Sequence, residues 1–332
     1  DTATDQTGGV HVPESVRTAG GQTELIVEFT GESNASSTDD LQTHASEVQQ
    51  PLASVAAAND AVTLEQTFWL KPMALVEMDL DRVSVGKLAE LPQVEAVYEN
   101  ARVTADTGST AGAPPPGSLS ATNSSYTYGL EQINAPTAWD NYNTTGEGVS
   151  IAVLDTGVDV DHPDLNVAKW QEFDSDGNPV NSRPNDGNGH GTHVSGTATG
   201  ARNPAGDVLT YGVAPGADLY GVKVLADDGG GSFAQIIAGM QWAVDNDADI
   251  ISMSLGASGF YDQMIEPVRN AHDAGTVVIA SAGNSGDGSS GSPGNVYESI
   301  AVGASNSNQG IAGFSSGEVV DTVSDWSSPP VD

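Results

Sequence analysis

The chain has 332 residues, of which 45 are acidic and 10 are basic, so its formal net charge at pH 7 is -35. Nucleic acid and anionic membranes would be repelled by this charge at long range, which argues against both as partners. The absence of cysteine excludes disulfide bonds and cysteine-ligated zinc sites.

The first third of the chain predicts a small α+β unit over residues 23–103. Residues 1–22 are polar and rich in Gly and Thr, and we expect them to form a flexible N-terminus. Apolar residues alternate over 24–29 as in a strand, and helical spacing follows over 38–57, behind serines that can cap a helix. A second strand, helix and strand are predicted at 68–78, 83–91 and 94–98.

Residues 104–125 consist almost entirely of Thr, Ala, Gly, Pro, Ser and Asn, which offer too little apolar surface to offset chain entropy. They predict an exposed linker. Over 126–332, apolar strand segments alternate with helical ones, which is typical of a parallel sheet covered on both faces. The predicted strands are 150–154, 219–225, 249–253, 277–280 and 300–302, and the predicted helices cover 233–244 and 264–271. The expected fold of this second unit is an α/β three-layer sandwich with a mostly parallel sheet.

The first candidate functional residue is Asp155, which directly follows the predicted strand 150–154 in the triplet 155–157 (DTG). Working groups of open α/β sheets lie where strands end. Alone, this triplet is equally typical of an ordinary turn in which Gly supplies unusual backbone angles.

A more specific motif is 189–196 (GHGTHVSG), in which His190 opens a helix whose small residues permit close packing. Its two histidines are three residues apart, as in a metal pair, but the glutamate of a His-Glu-x-x-His zinc helix is replaced here by Gly and Thr. A third motif, 281–284 (SAGN), follows the predicted strand 277–280. The Asn284 amide could donate to a developing oxyanion, or serve only as a turn residue.

In this order, the three motifs resemble the subtilisin family of serine proteases, whose catalytic Asp, His and Ser follow one another along the chain. The resemblance covers residues 126–316. Within the family, the chain is similar to the secreted halolysin-type proteases of halophiles. Further matching segments are 128–136 (YGLEQINAP), 162–165 (HPDL), 212–215 (GVAP), 222–225 (VKVL) and 252–256 (SMSLG).

The resemblance implies a role for each matching residue. Asp155 would orient the imidazole, His190 would act as general base and then acid, and Asn284 would bind the oxyanion. A peptide substrate would lie as an extra strand between residues 229–231 and residues 254–256, and it would place its side chains in adjoining pockets. The residues implied to bind substrate are Gly229, Gly230, Gly231, Phe233, Ser254, Leu255, Gly256, Ala282 and Gly283.

The resemblance also implies that residues 23–103 form a ferredoxin-like propeptide domain that inhibits the protease intramolecularly and is removed by cleavage in the linker. No cofactor is expected for the chemistry. A structural calcium ion is implied by the oxygen donors of Asp164 and Asn203, which suit a hard cation. Besides protein or peptide substrates and its own propeptide, we expect no partner, and therefore a monomer.

The family's nucleophilic serine lies in a Gly-Thr-Ser segment, and that triplet does not occur in this sequence. We therefore expect the peptidase domain to stop before its serine segment and the chain to be inactive as written. Ser315 and Ser316 belong to a loop that the family also has, so they are not predicted nucleophiles. Three hypotheses remain: an incomplete copy of an endopeptidase precursor, a peptide-binding pseudoprotease or inhibitor, and a split enzyme completed by a second chain.

The acidic residues are spread along the chain rather than collected in a disordered tail. Their mutual repulsion is reduced when the Debye length falls to about 3 Å at 1 M salt, so the composition indicates adaptation to high salt. The numbering opens at Asp1 without an apolar signal region, which we interpret as a secreted precursor whose signal peptide is not included.

Overall fold

The computed structural model describes residues 9–31, 37–107 and 125–320. Much of the predicted linker and the last twelve residues therefore lie outside the described part. The chain divides into two compact units that interleave in sequence. The first unit draws on 1–102, 173–179 and 231–242, and the second on 103–172, 180–230 and 243–332.

The N-terminal part of the first unit is a βαββαβ arrangement preceded by one short helix. Its elements are α1 Glu14–Thr18, β1 Gln22–Phe29, α2 Thr38–Ala58, β2 Val62–Phe68, β3 Met73–Asp79, α3 Gly86–Ala89 and β4 Val94–Glu99. The sheet order is β2-β3-β1-β4, and β1 is antiparallel to both of its neighbours. This is the ferredoxin-like topology that was expected. Its core joins alternate β1 residues such as Leu25 and Val27 to Val48 and Leu52 of α2.

Three details of this part differ from the sequence-based expectations. The strand predicted over 68–78 is interrupted by a turn at 69–72, since Pro72 has no N–H to donate to a ladder. The helix predicted over 83–91 is a single turn. Residues 9–22, predicted to be flexible, include α1, whose Val16 packs into the core and is 1% exposed.

The remaining elements extend from residue 102 to residue 302. They are β5 Arg102–Ala105, α4 Tyr128–Gln132, α5 Ala135–Tyr142, β6 Ser150–Asp155, β7 Val167–Phe173, β8 Pro179–Val180, α6 His190–Thr199, β9 Asp218–Lys223, β10 Gly230–Ser232, α7 Phe233–Asp245, β11 Ile250–Met253, β12 Leu255–Ser258, the 3-10 turn Asp262–Met264, α8 Ile265–Asp273, β13 Val277–Ser281, β14 Gly291–Ser292 and β15 Ile300–Val302. None of the helices in the described ranges is long and apolar enough to cross a membrane.

A seven-stranded sheet with the order β15-β13-β11-β6-β9-β7-β8 dominates the second unit. The pairings of β11 with β13 and β6, of β9 with β6 and β7, and of β13 with β15 are all parallel. The predicted α/β fold with a mostly parallel sheet is thus confirmed. All six residues of β6 are buried, as expected for a central strand covered on both faces. Because β6, β11 and β13 run in the same direction, their carboxyl ends lie at one edge of the sheet.

Candidate active site

Asp155 and His190, predicted from separate motifs, form a hydrogen-bonded pair in the second unit. Asp155 is the last residue of β6 and His190 is the first residue of α6. The distance from Asp155 Oδ1 to His190 Nδ1 is 2.7 Å. The Asp155 side chain is fully buried, whereas 13% of the His190 side chain is exposed. A buried carboxylate therefore holds one ring nitrogen while the imidazole retains access to the surface.

Close approach of α6 to the end of β6 depends on two glycines. A Cβ at Gly191 would lie 2.2 Å from the Gly157 carbonyl oxygen, and one at Gly157 would lie 2.0 Å from the Asn185 carbonyl oxygen. Gly157 also has a φ of +120°, which side-chain-bearing residues rarely adopt. Both positions therefore require glycine so that helix and turn can touch.

Asp186 is a positioning residue that none of the three sequence motifs includes. Its Oδ1 accepts hydrogen bonds from the Thr156 hydroxyl at 2.9 Å and the Gly189 amide at 2.8 Å. Its Oδ2 accepts from the Thr192 amide at 2.8 Å and the Thr192 hydroxyl at 2.7 Å. This carboxylate thereby ties the turn after Asp155 to the first turn of α6. The available signal was an Asp just before a helix start, where such side chains commonly bond to nearby backbone.

The bonds that Asp186 accepts also determine its ionisation. Burial alone would raise the pKa of Asp186, but the bonds from Thr192, Gly189 and Thr156 outweigh burial and lower it. Asp186 is consequently ionised at neutral pH, and its charge reinforces each of these bonds.

The pKa of His190 is raised above its ordinary 6.5. Burial acts to lower this pKa, but the hydrogen bond from the ring to Asp155 and the negative charge of Asp155 outweigh burial. The backbone carbonyl and the charge of Asp106 raise it further. Asp106 therefore lies close enough to His190 to influence its ionisation.

Residues 103–106, which belong to the second unit, run beside several of the predicted substrate-binding residues. Ala105 pairs with Leu255, and Thr104 pairs with Gly256, in an antiparallel ladder. The Ala105 amide donates to the Gly229 carbonyl at 2.8 Å, and the Asp106 amide donates to the Ser254 carbonyl, also at 2.8 Å. The structure thus brings Gly229, Ser254, Leu255 and Gly256 together along one extended segment of the chain itself.

The other predicted substrate-binding residues are divided between the two units. Gly231 and the fully buried Phe233 belong to the first unit, where the Phe233 amide donates to the Ala101 carbonyl at 3.1 Å. In the second unit, the Gly230 amide donates to Asp228 Oδ1 at 2.8 Å.

The segment that carries Asn284 begins at the end of β13. The Ala282 amide donates to the Val302 carbonyl at 2.9 Å, and Gly283 has a φ of +106°. Asn284 follows and is half-buried. Just before them, the Ser281 hydroxyl donates to Oδ2 of Asp106. The sequence interpretation assigned no role to Ser281, since a small residue in a strand gives no signal of its own.

A buried lysine supports the turn after Asp155 from behind. Lys223 is 5% exposed, and its ammonium donates to the Thr156 carbonyl and, at 2.8 Å, to Asp227 Oδ1. The bond and the charge of Lys223 lower the pKa of Asp227. A buried ammonium is stable here because both of its partners are oxygen acceptors.

The carboxylate predicted to bind calcium, that of Asp164, is hydrogen-bonded to its neighbours in this structure. Asp164 Oδ1 accepts from the Ala205 amide at 2.6 Å, and Oδ2 accepts from the Tyr211 hydroxyl at 2.7 Å. Asn203 is exposed. In the described part of the chain, no group of three or more acidic or histidine side chains could hold a metal ion. The Asp164 carboxylate braces the loop that carries Tyr211. Calcium takes 6–8 oxygen ligands, and a calcium site that includes Asp164 and Asn203 stays a prediction.

Known subtilisins and an alkaline elastase are similar to this chain in sequence. The sequence profile of the subtilase family matches residues 146–329. Alkaline elastase YaB of Bacillus sp. (strain YaB) is 37% identical over 256 residues, which are 76% of this chain and 60% of that protein. Subtilisin E of Bacillus subtilis (strain 168) is 44% identical over 194 residues, which are 57% of this chain and 49% of that protein. Subtilisin Savinase of Lederbergia lenta is 41% identical over 188 residues, which are 57% of this chain and 66% of that protein.

Proposed function

The chain belongs to the subtilase family, and on that premise we propose that it is a precursor of a serine endopeptidase that hydrolyses peptide bonds in proteins. The observation that carries the proposal is the 2.7 Å bond between Asp155 Oδ1 and His190 Nδ1. The matched relatives are longer, since the chain covers 60% of alkaline elastase YaB.

In the proposed mechanism, the bond to Asp155 fixes the proton of His190 on Nδ1 and leaves Nε2 free to act as a base. Nε2 takes the proton of a serine hydroxyl as that oxygen attacks the substrate carbonyl, and it then passes the proton to the leaving amine. Asp155 stabilises the imidazolium that forms between the two steps. Asn284, at the family's oxyanion position, would donate its amide to the oxygen that becomes negative.

The nucleophilic hydroxyl is proposed to come from a serine outside the described residues. Ser316 Oγ accepts from the Ser285 amide at 3.0 Å and lies 2.9 Å from the Ser289 hydroxyl. Ser315 Oγ accepts from the Ala304 amide at 2.9 Å. Both hydroxyls hold the loop at 304–316 in shape, which supports the prediction that neither of them is the nucleophile.

Residues 23–103 are proposed to inhibit the protease as a propeptide, with residues 103–106 occupying the place of a substrate. The ladder from Thr104 and Ala105 to Gly256 and Leu255 supports this proposal, since an extended peptide would make the same main-chain bonds. These bonds need no nucleophile, so they equally favour a second candidate function, a peptide-binding protein without catalysis.

Secretion, a monomeric state and adaptation to high salt are further parts of the proposal. The net charge of -35 supports salt adaptation. Crowding of acidic groups is visible at Glu65 in the first unit, whose pKa is raised by burial and then by the charges of Asp176 and Glu77. Salt would screen such repulsion. A structural calcium ion at Asp164 and Asn203 also remains a proposal.

The function is tested by labelling with a serine-directed fluorophosphonate at high salt. The samples are the 332-residue chain, a version that continues along its gene past Asp332, and the His190→Ala variant of each. We expect the longer protein to be labelled and its His190→Ala variant to remain unlabelled. Labelling of Ser315 or Ser316 would contradict the assignment of the nucleophile. Tight binding of peptide without any labelling would favour the second candidate function.

The dependence of activity on pH follows from the raised pKa of His190. Only the neutral imidazole can accept a proton, so kcat/KM is expected to rise with pH through a value above 6.5. Folding stability should change in the opposite direction. Charged His190 stabilises the fold fully below pH 6.5, and this contribution is lost as pH rises through the raised pKa. A pH-rate profile at constant salt with an inflection at or below 6.5 would refute the first expectation.

A further inference from the structure

We propose that the bond between Asp106 and Thr107 is the one cleaved when the precursor matures, and that Ser281 makes the active site select aspartate before the cut. This inference rests on the proposed peptidase function and adds to it a specific bond and a side-chain preference. It is carried by the contacts of Asp106, all of them with residues of the second unit.

The backbone contacts place Asp106 at the end of the strand in the cleft. Its amide donates to the Ser254 carbonyl at 2.8 Å, one residue beyond the ladder in which Ala105 pairs with Leu255. The next amide, that of Thr107, donates back to the Ala105 carbonyl at 2.9 Å. The chain therefore turns at Asp106, and its extended pairing ends there.

Asp106 also lies close enough to the catalytic base to act on it electrostatically. The charge of Asp106 contributes to the raised pKa of His190. A general base must lie within hydrogen-bonding reach of the atoms that exchange protons at the reacting peptide. The Asp106–Thr107 bond directly follows the last paired residue of the strand, and it is therefore the bond that we assign to this base.

The side chain of Asp106 has a donor of its own. The Ser281 hydroxyl donates to Asp106 Oδ2, and both residues are half-buried. A site that offers a hydrogen bond to a substrate group disfavours analogues without that group, because the donor of the site is then left unpaired. An aliphatic or aromatic residue in place of Asp106 would leave the Ser281 hydroxyl without this acceptor. Ser281 therefore favours a short side chain with an acceptor oxygen.

The chemical change is a hydrolysis with one water consumed. The bond between the Asp106 carbonyl carbon and the Thr107 nitrogen breaks, and the acyl group passes first to the serine hydroxyl and then to water. The proton taken by His190 goes to the Thr107 nitrogen, which leaves as an amine. The products are a chain that ends in the Asp106 carboxylate and a chain that begins at Thr107.

The bond is identified by incubating the gene-length precursor at high salt and determining intact masses and new N-termini. The expected new N-terminus is Thr107. Asp106→Leu should slow release at this bond about tenfold or more, whereas Asp106→Asn, which keeps an acceptor oxygen, should slow it less. A first cut at another bond in wild type would overturn the proposal while leaving the peptidase function supported.

A second experiment does not depend on catalysis. Amide hydrogen exchange at Ala105 and Asp106 is measured in the 332-residue chain for Ser281→Ala, Asp106→Leu and the double variant. Each single variant should speed exchange at these amides about tenfold, and the double variant should be no faster than either single variant, because the two side chains act as a pair. Ser15→Ala, an exposed residue of α1, is the matched control and should change nothing.

The outcomes of the two experiments separate the two claims. If the single and double variants lose amide protection to the same extent but the gene-length precursor is not cleaved, recognition of Asp106 by Ser281 is supported and the peptidase function is refuted. Unchanged protection in both single variants would refute recognition by Ser281, whatever the catalytic result.

Discussion

Replacing His190 with alanine is expected to lower kcat of the mature enzyme about 10^6-fold, a size taken from the equivalent histidine of subtilisin. His190 is the first residue of α6 and is held by Asp155 at 2.7 Å, so no other side chain can take over its proton transfers from the same position. Without the imidazole, only substrate binding and the oxyanion donors would contribute to catalysis.

The control for this prediction is His193→Ala. His193 lies on the same helix but is exposed, so the same substitution leaves the pair of Asp155 and His190 intact. Both variants are compared by initial rates with a fluorogenic peptide, and their melting temperatures show whether they are folded. A folded His190→Ala enzyme that kept more than about one hundredth of wild-type activity would mean that another group is the base.

Replacing Gly191 with alanine should both destabilise the second unit and abolish activity. The added Cβ would lie 2.2 Å from the Gly157 carbonyl oxygen and 3.1 Å from the Asp155 Cβ. Neither neighbour is the far end of a flexible side chain, so α6 would have to move away from the end of β6. We expect a loss of about 3 kcal/mol in the free energy of unfolding, the upper part of the range for overpacking. Displacement of His190 from Asp155 would add a loss of activity of at least about 100-fold.

Gly129→Ala is the matched control, because Gly129 is also in a helix of the second unit and a Cβ there would meet nothing within 4 Å. Since alanine is favoured over glycine in helices, this variant should be as stable as wild type or more stable by up to about 1 kcal/mol. Denaturant unfolding at one salt concentration compares the three proteins. Equal stability of Gly191→Ala and wild type would show that the contact between α6 and the turn after β6 is looser than described.

The two motifs that supply the catalytic pair could be read from the sequence, because each is local. A strand that ends in Asp155 and a glycine-rich helix that starts at His190 both follow from apolar periodicity and from residue types that permit sharp turns. Their order along the chain carried the family resemblance, and the parallel sheet followed from the buried strands at 150–154, 249–253 and 277–280. None of these inferences required knowledge of long-range contacts.

The sequence was less informative where one local pattern has several outcomes. The segment 68–78 looked like one strand, but Pro72 interrupts it with a turn between β2 and β3. Residues 1–22 were predicted to be flexible from their composition, yet Val16 packs into a core that includes strand residues far along the chain. Tertiary packing decides such cases, because it supplies apolar partners that propensity does not include.

The sequence by itself thus determined the α/β fold, the order of the motifs and the identities of Asp155 and His190, since each depends on neighbours within a few residues. Only the tertiary structure decided that Asp186 joins the two motifs, that Lys223 supports the turn from behind, and that Asp106 is bonded to Ser281. These contacts join residues up to 175 positions apart, as Asp106 and Ser281 are. Hydrogen bonds at such separations depend on where the whole chain places each side chain, and no local pattern encodes that placement.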